Sequence, residues 1–184
     1  MFEPETDIEF DYEKFRAVVH FICHECRPEE LGRVKLHKIL YFSDFLRYLE
    51  AGAPLTGEDY IKQKFGPTAR HLNKALRELQ QNGSLRISER PFHGYTKQLF
   101  DSLKSPATNL VSEDEAKLLR DVIGFACGRT ASEMSELSHS EPWEMAATGE
   151  RIPYYMAFSF VPAELTDEDF EWARGEARRH GVLA

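Results

Sequence analysis

Apolar residues recur at helical spacing from Asp11 onward: Phe15, Val18, Val19, Ile22 and Cys26 fall on one stripe, predicting a helix capped by Asp11 and ended by Pro28. A second helix is expected from about Val34 to Glu50. Its Leu36, Ile39, Leu40, Tyr41, Phe42, Phe45, Leu46, Tyr48 and Leu49 are apolar around most of the circumference, which places it at the centre of the core. Ala51-Gly52-Ala53-Pro54 stops it, and Asp59 to Phe65 alternates as a short strand before a break at Gly66-Pro67. From Thr68 to Gln81, Ala69, Leu72, Ala75, Leu76 and Leu79 form another helical stripe, closed by Asn82-Gly83. Two strand-like runs, Leu85 to Arg90 and Tyr95 to Phe100, meet through Pro91-Phe92-His93-Gly94 as a hairpin.

Ser112 with Glu115, and Thr130 with Glu133, are capping-box pairs that start two further helices. His139 to Pro162 mixes Pro, Gly and aromatics and reads as an irregular stretch pinned by its rings. Thr166 caps a last helix with Phe170, Ala173 and Ala177 on one face, Arg178, Arg179 and His180 in its final turn and Gly181 after it. The expected fold is α+β and mostly helical: a helical core with a small β-hairpin wing, the middle portion resembling a winged helix. No repeat or linker divides residues 1–184, so a single domain is expected.

The 184 residues include 23 Lys+Arg against 31 Asp+Glu, a net charge of −8. That balance is uneven along the chain. Residues 1–60 hold 7 basic and 13 acidic side chains, residues 61–104 hold 9 and 3, and residues 105–184 hold 7 and 15. The excess of acid argues against broad nucleic-acid affinity, while the basic middle leaves room for a small docking patch. With 13 Phe, 7 Tyr and 2 Trp the chain has ample mass for a core. No apolar run approaches the about 18–20 residues of a spanning helix, and the acidic start MFEPETDIEFDYE is unlike a secretion signal. The expectation is a soluble cytoplasmic protein without membrane partners. Its three cysteines, Cys23, Cys26 and Cys127, give no disulfide framework.

Candidate chemistry is sparse. Cys23 and Cys26, with His20 and His24 beside them, would need a second ligand pair to make a zinc site, and burial on the helical stripe accounts for Cys26. His139 stands among Ser138, Ser140 and Glu141, but no strained-serine elbow accompanies it, so a histidine fixing a turn through hydrogen bonds is expected. Neither phosphate-binding glycine pattern is present. Glu113-Asp114-Glu115 and Asp167-Glu168-Asp169 suit helix starts. No catalytic residue, metal or cofactor is therefore expected. Arg70, Asn73, Lys74 and Arg77 are positioned to read DNA from the helix at 68–81, against the plainer reading of a solvated face or a protein-binding surface.

Three segments in order carry a resemblance: Lys35-Leu36-His37-Lys38-Ile39-Leu40-Tyr41-Phe42-Ser43-Asp44, then Phe65-Gly66-Pro67, then Glu136-Leu137-Ser138-His139-Ser140-Glu141-Pro142-Trp143. Together they resemble the Panacea domain, the SocA-like antitoxin family, over about residues 12–160. The matching positions are Lys35, Leu36, Lys38, Leu40, Tyr41, Gly66, Pro67, His139 and Trp143. The resemblance implies a bacterial or phage-borne antitoxin that binds a cognate toxin protein, and its SocA branch implies delivery of that toxin to a protease. Two features depart from the family pattern: Phe65 and Thr68 flank Gly66-Pro67 where a tyrosine and a small apolar residue are usual, and the helix at about 166–180 has no counterpart in the common core. Because a basic toxin surface would complement the acidic flanks, Glu133, Glu136, Glu141 and Glu144 are expected to take part in capture. The alternative is a winged-helix-like DNA-binding regulator of its own operon.

Overall fold

The computed structural model describes residues 8–107, 109–161 and 166–179. Helix α1 (Tyr12–Glu25) is capped by Asp11, whose carboxylate accepts from the Lys14 amide at 2.9 Å, and it buries Phe15, Val18, Val19 and Ile22. Helix α2 (Pro28–Ala51) starts earlier than the apolar pattern indicated. Pro28 opens a short first turn, and Gly32, at φ 65° and ψ 161°, breaks the helix before the long apolar part. Only glycine reaches that conformation without strain, which is why the periodic pattern is legible only beyond it. Gly52, in the left-handed region, ends α2 by donating to Tyr48 O at 2.8 Å.

Strand β1 (Tyr60–Gln63) pairs antiparallel with β2 (Gly66–Ala69), Tyr60 facing Ala69 and Gln63 facing Gly66. This corrects the expectation of a break at Gly66-Pro67 with a helix from Thr68. The outer groups of β2 are satisfied by α2: Lys38 Nζ donates to Pro67 O at 2.9 Å, and the Ala69 amide donates to His37 Nδ1 at 3.1 Å. Side chains from a neighbouring helix thus complete the strand's bonding where Pro67 has no N–H of its own. Helix α3 (Leu72–Gln81) then buries Leu72, Ala75, Leu76 and Leu79.

Strands β3 (Leu85–Phe92) and β4 (Tyr95–Ser102) form the hairpin wing. Its connection is tighter than expected, since Pro91 and Phe92 belong to β3 and only His93 (φ 44°) and Gly94 (φ 82°) make the turn. Two successive positive φ values match the twist of a two-residue hairpin. Helix α4 (Glu113–Cys127) and helix α5 (Ala131–Leu137) carry the capping boxes Ser112/Glu115 and Thr130/Glu133. The stretch expected to be irregular contains helix α6 (Glu141–Met145), an isolated bridge from Arg151 to Ile61, and a 3-10 helix at Tyr154–Phe160. Helix α7 (Asp167–Arg179) closes the described chain. The Phe170, Ala173 and Ala177 stripe and the His180-Gly181 stop lie outside the described side chains.

The chain is α+β and mostly helical, with two small two-stranded antiparallel sheets. Helix α2 touches α1, α4, α5, β2, β4 and the 3-10 helix, so the core is built around it. Tyr41 and Phe45 sit 4.3 Å apart and meet Tyr60 and Tyr154 in one aromatic cluster. Within it Asp44 is fully enclosed and accepts from Thr56 N (2.6 Å), Thr56 Oγ1 (2.7 Å) and Tyr60 Oη (2.6 Å). Burial pushes its carboxyl above the usual range, and these three donors offset part of that rise. No described helix is long and apolar enough to cross a membrane.

Candidate functional site

The three segments of the resemblance converge at one place. Lys38 leaves α2 toward β2, is 2% exposed, and donates to Pro67 O. No described carboxylate forms an ion pair with it, and desolvation brings its ammonium down to about 7. Gly66, at φ 96°, fits against Lys38 and α5: a Cβ there would stand 2.3 Å from Ser138 Oγ and 2.6 Å from Lys38 Nζ. Ser135 Oγ donates to Phe65 O at 2.8 Å, and Ser138 Oγ donates to Ser135 O at 2.7 Å. These contacts join α2, the β1–β2 turn and α5 through a close-fitting polar seam.

Trp143 closes the seam from outside. Its indole N–H donates to Gln63 O at 3.0 Å, its ring stacks on His139 at 4.0 Å, and Lys62 Nζ lies 4.3 Å from its centroid. Lys62 also donates to Glu144 O and Ala146 O at the end of α6. The expectation for His139 is corrected here: its ring is fixed by stacking, and Nε2 is buried without a hydrogen-bond partner among the described residues. Burial, reinforced by Lys38, holds its basicity below the ordinary value. The Tyr41 hydroxyl faces Ser140, yet neither oxygen reaches hydrogen-bonding geometry with a described residue.

Lys35, Leu36, Leu40 and Tyr41 are buried on α2. Leu36, Leu40 and Tyr41 enter the core, whereas Lys35 lines a separate groove of about 960 Å³ between the start of α2, the hairpin and the α4–α5 junction. The proposed capture residues Glu133, Glu136, Glu141 and Glu144 are exposed. Glu133 is not free, because Thr130 N (2.6 Å) and Oγ1 (2.7 Å) both donate to its carboxylate. Cys23 and Cys26 are buried and burial raises both thiols, while Cys26 Sγ lies 3.7 Å from Cys127 Sγ. Among the described residues no group of three or more His, Cys, Asp and Glu gathers in a way that could hold a metal. Of the basic residues near α3, Arg70 reaches Asp59 at 3.5 Å, and Lys74 sits 3.9 Å from the Tyr12 ring centroid and 4.0 Å from Glu78.

Ser135, Ser138 and Lys62 were not singled out from the sequence for this role. The three-residue spacing of the two serines, Ser135 on α5 and Ser138 at its C-terminal cap, is their only local signal. With these added, the geometry is that of a mostly helical α+β domain braced by a buried lysine and a glycine-proline turn. Residues 36–144, more than half of the chain, match the family described as Antitoxin SocA-like, Panacea domain, and the chain belongs to that family. Neither the curated proteins nor the solved structures give a match.

Proposed function

We propose that this protein is a cytoplasmic antitoxin that neutralises a cognate toxin by binding it directly, with no covalent chemistry of its own. The family match over residues 36–144 carries this reading. The seam around Lys38, Gly66 and Trp143 supports it in a particular way. Its polar groups face inward to brace three elements, so the family-pattern residues of the seam hold the shape of the domain and leave other surfaces to recognise a partner. Exposed Glu136, Glu141 and Glu144 supply an acidic face suited to a basic toxin. Delivery of the captured toxin to a protease is a further role that the SocA branch suggests.

Co-expression tests the reading. The product of the adjacent reading frame is expected to arrest growth alone, to be harmless when this protein is made with it, and to elute with it as one complex. Growth arrest that this protein does not relieve, with no complex formed, would overturn it.

A further inference from the structure

The groove beside α2 has a charge arrangement that the seam does not use. Its floor holds Lys35, which is 6% exposed and pairs with no carboxylate among the described residues. Three other cations reach the groove, and each donates to a neutral oxygen of the protein. Arg33 donates to Gln98 Oε1 at 2.9 Å, Lys97 donates to Glu29 O, and Arg129 donates to Phe125 O at 2.8 Å while covering the Phe125 ring. Glu133 lies within the field of Lys35 but is tied into the Thr130 cap. A largely buried lysine that lines a groove with no carboxylate in ion-pair distance among the described residues is suited to meet an incoming anion.

The surroundings define what that anion belongs to. Glu29, Glu30 and Glu89 line the same groove beside Arg33, Lys35, Lys97 and Arg129, a surface of mixed sign that complements a segment carrying both an acid and Lys or Arg better than it does a uniformly anionic polyphosphate or nucleic acid. Phe92 and Tyr95 are 41% and 56% exposed beside it, offering rings to an aromatic or apolar neighbour. The hairpin wall is a two-stranded sheet, and the edges of such a sheet carry unpaired backbone groups that suit an extended chain.

We propose that this groove receives an extended segment of the toxin in which one Asp or Glu, flanked by basic and aromatic residues, seats its carboxylate on Lys35. The proposal rests on the antitoxin reading for the identity of its partner, and its chemistry can be tested apart from that reading. The probe is a synthetic peptide with one central aspartate among alternating basic and aromatic residues, together with its asparagine analogue.

Amide chemical shifts of the full chain should move at residues 31–35, 95–98 and 129–132 on adding the aspartate peptide. The aspartate peptide should bind at least tenfold more tightly than the asparagine one, a margin that shrinks in salt, disappears in Lys35→Met and survives in Lys35→Arg. Equal binding of the two peptides to the wild-type chain, or no binding, would overturn the proposal without needing any variant to fold. Displacement of the peptide by ADP at the same residues would overturn it in favour of a nucleotide site. In the co-expression assay, a folded Lys35→Met chain that still neutralises the toxin fully sinks the groove assignment and leaves the antitoxin reading intact. Failure of the wild-type chain to neutralise, with the peptide result positive, sinks the reading and keeps the groove.

Discussion

At position 66 the space for a side chain is already filled. Ser138 Oγ and Lys38 Nζ are each pinned by a hydrogen bond of their own, so neither can retreat cheaply from a Cβ. Gly66→Ala should destabilise the protein by about 2 kcal/mol or more, combining overpacking with a positive φ that alanine disfavours. A fall in the urea midpoint at unchanged m-value would register it. His37 offers a pH test. Half-buried and accepting from the Ala69 amide, its ring is kept neutral by desolvation, with Lys38 and Arg33 adding to the effect, down to about pH 3. The unfolded chain protonates that histidine near 6.5, so stability is complete above 6.5 and is lost as pH falls toward about 3. His37→Asn, which keeps an acceptor but no basic ring, should flatten that acid slope in denaturant melts from pH 7 to 4. Lys38 acts in the same direction higher up, with stability rising from about pH 7 to 10.5. Both residues were visible in the sequence as part of a patterned helix start. Their partners were not, because a backbone carbonyl or amide becomes a partner only once β2 exists.

Local chemistry decided which elements could be read. The capping boxes at Ser112 and Thr130 need four consecutive residues and formed as expected. Strand β2 was hidden because Gly66 and Pro67 signal a break locally, while the bonds that complete its outer edge beyond the pairing with β1 come from α2, about thirty residues earlier. Helix α6 has five residues, too few for any periodic signal, and its position depends on Lys62 and Trp143. Trp143→Phe keeps a ring over His139 but loses the bond to Gln63 O and weakens the Lys62 contact. A cost of about 1–2 kcal/mol is expected, measured by thermal unfolding. The same change should leave far-ultraviolet circular dichroism unaltered, since α6 is a small part of the helix content.

Over the whole molecule, the mostly helical α+β class followed from apolar periodicity, which depends on burial alone. The groove did not, since its lining comes from residues 29–35, 89–98 and 129–132, and no window of sequence contains all three. Charge at this scale bears on association. Reversing Glu136, Glu141 and Glu144 together should slow toxin association in low salt and leave dissociation largely unchanged, as stopped-flow mixing at two ionic strengths would show. Glu133 is best excluded from that set, because its loss would also uncap α5.

Lys35 and Lys38 leave the same helix less than one turn apart, the first toward the groove and the second into the braced interior. An arriving ligand therefore meets a floor that has already given up its freedom during folding. Little ordering remains to oppose its binding, and affinity would be set by how well the visitor fits.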